Sequence, residues 1–157
     1  VHGQNKRYHH KLIGMGGRLD TIQGAVLLAK LPHYKKELQG RQDVAKLYSQ
    51  SLSVSFAVPE MRFGRTSAWA QYTVKLPEEI DRDVLQSKLK AAGIPSVVYY
   101  VKSLHLQTAY KNYPTATGGS LPVCEGLSEA VLSLPMSGYV KDEYIKIITD
   151  GLLEALK

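Results

Sequence analysis

Hydrophobic positions recur along this chain with two different periods. Leu19, Ile22, Val26 and Ala29 follow three- and four-residue spacing, which predicts an amphipathic helix. Pro32 should kink or divide it. Beyond it Tyr34, Leu38, Ala45, Tyr48 and Leu52 restore an apolar face, predicting a second helical segment to about Ser51. The period then falls to two: Ala70, Tyr72, Val74 and Leu76 alternate with Gln71, Thr73 and Lys75, as in a strand with one wet face. Asp81 is placed to cap a helix carrying Val84, Leu85 and Leu89, which Gly93 closes. Pro95 opens an extended run, Ser96 to Val101, rich in β-branched and aromatic residues. Asn112 to Ser120, with Pro114, Gly118 and Gly119, reads as a loop. Pro122 suits the first turn of a short helix through about Val131. Leu132-Ser133-Leu134 reads as a short strand stopped by Pro135. A closing helix runs from about Lys141, with Tyr144, Ile148, Leu152 and Leu156 on one face.

This order predicts an α/β fold of the α+β kind, a small antiparallel or mixed sheet with helices packed on one face. The polar stretch 1–18 precedes the helices as a loop, ending in Gly14-Met15-Gly16-Gly17. At 157 residues the chain has the size of one ordinary domain, and no apolar run is long enough to span a bilayer. Its opening, Val1 to Arg7, has neither an initiator Met nor an apolar targeting segment, so it reads as internal to a longer protein. Cys124 has no possible intrachain disulfide partner, which suits a cytoplasmic setting. The net charge of +6 is dispersed over Lys6, Arg7, Lys11, Lys35, Lys36, Lys88, Lys90, Lys141 and Lys146. No nucleic-acid motif accompanies it, so neither nucleic acid nor membrane is an expected partner. An anionic metabolite is compatible with that charge.

Candidate chemistry concentrates in two places. The Gly14-x-Gly16-Gly17-Arg18 loop lies before a helix start, with Asp20 or Thr21 available for capping. Its backbone N–H groups and the Arg18 fork can hold an anion, although the spacing matches no phosphate-loop fingerprint and a plain turn also explains it. The stretch Tyr99 to Gln107 gathers phenols, an amine, an imidazole and an amide at a strand end. Lys102 would serve as a reactive amine only if desolvated. No histidine pair has HExxH spacing, and a single Cys excludes a thiolate-rich zinc site, so no metal is expected.

Five segments then carry a resemblance. HGQNKRYHHKLIGMGGRLDTIQGAVLLAKL, AQYTVKL, RDVLQSKLKAAGIPSVVYY, SLHLQTAY and VLSLPMSGY resemble, in the same order, motifs of the DegT/StrS sugar aminotransferases. The likeness covers essentially the whole chain. It implies the C-terminal part of a fold type I enzyme that uses pyridoxal 5'-phosphate, usually as a homodimer with shared active sites. Such an enzyme moves an amino group, typically from glutamate as amino-acid donor, to a keto group of a nucleotide-sugar substrate for cell-surface polysaccharide. The resemblance places residues 1–52 at the end of the large domain, with an interface loop and a long connecting helix, and residues 53–157 in the small domain. The Schiff-base lysine is implied upstream, so no catalytic residue is expected in this chain. Gly16 and Arg18 stand where the family reaches toward the partner's cofactor phosphate, Gly16 replacing the family's Asn and Arg18 also facing substrate. Tyr99, Tyr100 and His105 match substrate-facing positions. Val101 and Ser103 replace prolines, and Ser67-Ala68-Trp69-Ala70 replaces a His-rich approach to the strand. A sugar dehydratase of the same fold, with His for the lysine, and a non-catalytic regulatory relative are the alternatives.

Overall fold

The computed structural model describes residues 3–14, 17, 19–115 and 118–156. Strands β1 (Gln4–Lys6) and β2 (His9–His10) form a short antiparallel hairpin. Helix α1 (Thr21–Lys30) is capped by Asp20, whose Oδ1 accepts the Gln23 N–H at 2.8 Å. Pro32 divides it from α2 (Tyr34–Leu52) through a single 3-10 turn, Leu31–His33. There the missing N–H of proline falls at a helix start and costs little. Strand β3 (Tyr72–Lys75), α3 (Arg82–Ala91), α4 (Pro122–Ala130), β4 (Val131–Leu134) and α5 (Asp142–Glu154) follow.

Strands β3 and β4 pair antiparallel, Tyr72 opposite Leu134 and Val74 opposite Leu132. That register puts four apolar side chains on one face, where all are buried. Thr73 and Ser133 share the other face and join their hydroxyls at 2.7 Å. Single bridges extend the sheet at both edges, Ala57 to Lys75 and Val97 to Ser133. The apolar face packs with the second half of α2 and with α5 and α3, through Val44, Tyr48, Leu52, Leu85, Leu89 and Leu152. Tyr48 is fully buried, its ring 5.0 Å from Tyr72, and its hydroxyl donates to the Pro135 carbonyl at 2.8 Å. Burial, with Tyr72 beside it, pushes the Tyr48 phenol well up, so it stays a neutral donor. Trp69 joins this core and donates its indole N–H to Gln42 Oε1 at 2.9 Å.

Several sequence expectations need correction. The run Ser96 to Val101 is not a strand: only Val97 pairs, and the chain turns at Tyr99 and Tyr100. The polar stretch before α1 contains a hairpin rather than loop alone. Tyr34 and Tyr144, placed on buried faces by their spacing, are exposed, and Ile145 and Thr149 are buried with Ile148 and Leu152. The helix ends at Asp81 and Gly93 are as expected: Asp81 Oδ1 accepts from Asp83 N and Val84 N, and Gly93 takes φ +75°, a conformation glycine adopts without strain.

Candidate functional site

The turn that replaces the expected strand brings the chemistry together. Tyr8, at the tip of the β1–β2 hairpin, lies edge-on to Tyr99 at 6.0 Å and to Tyr100 at 5.6 Å between ring centroids. The Tyr99 and Tyr100 rings are 5.7 Å apart. Edge-to-face packing of this kind adds to the stabilisation from burial alone. Arg7 lays its guanidinium 5.0 Å from the Tyr8 ring centre and donates to the Tyr8 hydroxyl at 3.2 Å. The hydrogen bond with Tyr8 pushes the Tyr99 phenol up, so Tyr99 presents a neutral hydroxyl. Partial burial, then the charges of Lys6 and Lys102, hold His9 below the usual histidine range. The imidazole is therefore neutral at pH 7.

These tyrosines line a cavity of about 1080 Å³. One wall is the hairpin with Tyr8 and His10, the floor is Tyr99, Tyr100 and Lys102 to Leu104, and the opposite wall is Leu121 with Pro122 to Cys124 and Leu127 of α4. Lys102 is the lysine on it, and among the described lining residues there is no carboxylate. A second groove of about 610 Å³ lies between the start of α3 and α4, with Glu78, Asp81, Asp83 and Glu129 on its rim. It holds none of the candidate site residues named from the sequence.

Two polar side chains hold the walls. Gln107 is buried and spans to the hairpin: its Oε1 accepts the His10 N–H at 3.1 Å, and its Nε2 donates to the Tyr8 carbonyl at 2.9 Å and the Lys102 carbonyl at 3.3 Å. On the other side Glu125 Oε1 accepts from the Leu121 N–H at 2.7 Å, His105 Nε2 at 2.8 Å and the Ser120 hydroxyl at 3.0 Å. A carboxylate can only accept, so His105 carries the proton on Nε2. The His105 bond, followed by the Leu121 and Ser120 bonds, holds the Glu125 carboxyl below its ordinary value. Ser103, also buried, meets Ser128 Oγ at 2.8 Å and accepts from Cys124 Sγ at 3.3 Å.

The structure thus unites Tyr99 and Tyr100 on the cavity and turns His105 away from it, into Glu125. Gly16 and Arg18 lie outside the described residues. Sequence reasoning named Gln107 only as the amide that closes the Tyr99 to Gln107 stretch, and did not place Tyr8 or Glu125 in a site. Tyr8 had a signal in its place beside Arg7 within the basic opening. Glu125 had one too, as an acid in the first turn of a helix begun by Pro122. Among the described residues no cluster of three or more His, Cys, Asp or Glu is placed to hold a metal. No helix among them is long and apolar enough to cross a membrane.

A UDP-2-acetamido-2-deoxy-3-oxo-D-glucuronate aminotransferase of Pseudomonas aeruginosa is 40% identical over 152 residues, covering 96% of this chain and 40% of that protein. A pleiotropic regulatory protein of Geobacillus stearothermophilus is 34% identical over 158 residues, 98% of this chain and 41% of its own length. A crystal structure of a DegT DnrJ EryC1 StrS aminotransferase from Brucella abortus superimposes with a TM-score of 0.81 at 44% identity, over 98% of this chain and 40% of that one. The chain therefore spans about two fifths of the length of these relatives, and its fold is that of the corresponding part of a fold type I aminotransferase. The model of the DegT/DnrJ/EryC1/StrS aminotransferase family matches residues 1–153, and the chain belongs to that family.

Proposed function

We propose that this chain works within a longer polypeptide, a pyridoxal-phosphate-dependent aminotransferase that moves an amino group from glutamate to the keto group of a nucleotide-linked sugar. Membership of the family, with relatives named as nucleotide-sugar transaminases, supports this class over a dehydratase or a regulatory protein. The observation that carries it here is the cavity where Tyr99 and Tyr100 stand side by side with Tyr8. Residues 1–52 then form the end of the large domain with the interface loop and connecting helix, and residues 53–157 the small domain.

When bound, pyridoxal phosphate supplies the electron sink that amino transfer needs. The described cavity residues do not fit it by themselves, because they include no acid to pair with its ring nitrogen and no phosphate cup. What they supply is a substrate wall. Tyrosine rings offer flat surfaces to a sugar or base, and the neutral Tyr99 hydroxyl donates or accepts a hydrogen bond. Lys102 and the hairpin cations Lys6 and Arg7 favour a ligand with negative charge. Gly16 and Arg18 we assign to the partner's cofactor phosphate, and Arg18 also to substrate.

The working unit is a homodimer, in the cytoplasm, on the way to a cell-surface polysaccharide. Helix α1 supports the dimer: Ile22 is 79% and Leu28 72% exposed, and Val26, Leu27 and Leu31 are open too. These positions surround most of the helix, a distribution expected of a helix enclosed on several sides.

The test is complementation in the full-length protein. Arg18→Ala on one subunit is paired with loss of the cofactor-attaching lysine on the other. If Arg18 serves the partner's site, each mixed dimer keeps one intact site and regains activity that neither parent shows. Mixed dimers as inactive as the parents would sink the shared-site reading.

A further inference from the structure

Residues 105 and 107 sit two apart on one short turn, yet their side chains engage opposite walls of the cavity. Gln107 is almost fully buried, and both ends of its amide are used on backbone groups of the hairpin and of Lys102. Its two hairpin partners are nearly a hundred residues away in sequence, so no local interaction explains them. His105 reaches the other way. Its Nε2–H meets the Glu125 oxygen that also takes the Leu121 N–H and the Ser120 hydroxyl. Leu121 and the first turn of α4 form that wall.

We propose that His105 and Gln107 are positioning residues, a two-armed brace that fixes the separation of the cavity's two walls. Gln107 holds Tyr8 against Tyr99 and Tyr100. His105 acts through Glu125 and holds Leu121 to Cys124. Neither touches the ligand. That the braced cavity admits a nucleotide-linked sugar rests on the function proposed above, whereas the brace itself is a property of the fold.

The experiment reads each wall separately in the chain. The Tyr8–Tyr99 and Tyr8–Tyr100 ring contacts give nuclear Overhauser effects that report the hairpin wall. Hydrogen exchange at the Leu121 amide, which donates to Glu125, reports the α4 wall. Gln107→Leu and Gln107→Glu should abolish the ring contacts and leave Leu121 exchange unchanged. His105→Phe should raise the Leu121 exchange rate by roughly tenfold, the effect of losing one charge-assisted hydrogen bond, and leave the ring contacts intact. His105→Gln, which keeps a donor, should restore most of the protection.

Walls that do not respond in folded variants, or that loosen together whichever arm is cut, overturn the brace. So does unfolding of both Gln107 variants, which would make Gln107 a residue of global stability. In the full-length protein the same variants should raise KM for the keto sugar about tenfold with kcat within about threefold. Walls that loosen as expected with KM unmoved would uphold the brace and reject the cavity as the sugar site.

Discussion

Replacing Gly40 with alanine sets two effects against each other, and their magnitudes decide the outcome. Gly40 lies within α2, where alanine is the better helix former by about 1 kcal/mol. Yet a Cβ built on Gly40 would sit 2.3 Å from the carbonyl oxygen of Gly138 and 3.0 Å from its Cα. Ordinary contact needs about 3.5 Å, so backbone must move by roughly 1 Å. The close approach is mutual: a Cβ on Gly138 would meet the Glu37 carbonyl oxygen at 2.4 Å. Neither side is free to yield. Helix α2 is anchored by Val44, Ala45, Tyr48 and Leu52 in the core, and Tyr48 also ties down Pro135 just before the turn. Because the clash is backbone on backbone, the cost falls in the upper part of the usual overpacking range, about 2–3 kcal/mol, which exceeds the gain in propensity. Gly40→Ala should therefore destabilise by about 1–2 kcal/mol and lower Tm by about 2–8 °C. Gly126, inside α4 with nothing within 4 Å of its Cβ position, is the control. Gly126→Ala feels only the propensity and should raise Tm by about 2–4 °C. Thermal melts by circular dichroism decide it. A Gly40→Ala chain melting at or above the wild type would refute the rigid contact between α2 and the turn.

Two further outcomes follow from the same packing and from the α4 wall. Tyr48→Phe removes the donor to the half-buried Pro135 carbonyl and should cost about 0.5–1.5 kcal/mol in urea unfolding at unchanged slope; a smaller loss would mean water replaces the hydroxyl. It should not add simply to Gly40→Ala, since both act on one contact. The Glu125 carboxyl is held below its ordinary value of 4.5 by His105, Leu121 and Ser120, so its contribution is present above that value and lost as pH falls through the lowered one. The stability gap between wild type and Glu125→Gln should be open at pH 7 and close under acid; a gap independent of pH would show that the charge plays no part.

Much of the fold was readable because its signals are local. Tyr72 and Val74 alternate with Thr73 and Lys75, Asp81 caps its own helix, and Gly93 closes it, each within a few residues. The run Ser96 to Val101 misled for the same reason. Its residues favour strands, but pairing needs a partner, and only Val97 finds one in Ser133. The two tyrosines that follow are spent on the cavity instead. Helix α1 could be read as a helix, but the all-round exposure of its apolar residues could not, since burial depends on residues far apart in sequence. The site divides along the same line. Tyr99 and Tyr100 stood out by type and motif. His105 stood out too, but its direction depends on Glu125, twenty positions on in the chain. Gln107 gave no local sign of holding a hairpin almost a hundred positions earlier.

Amino transfer itself is the most direct measure of the central claim. The full-length protein, supplied with pyridoxal phosphate, 15N-labelled glutamate and a UDP-linked 3-keto sugar acid, should convert glutamate to 2-oxoglutarate. One 15N should appear in the sugar product for each 2-oxoglutarate formed, and Tyr99→Ala together with Tyr100→Ala should weaken the reaction chiefly through KM. Folded protein that binds the UDP-linked sugar but moves no 15N into it would contradict the claim and favour a regulatory role.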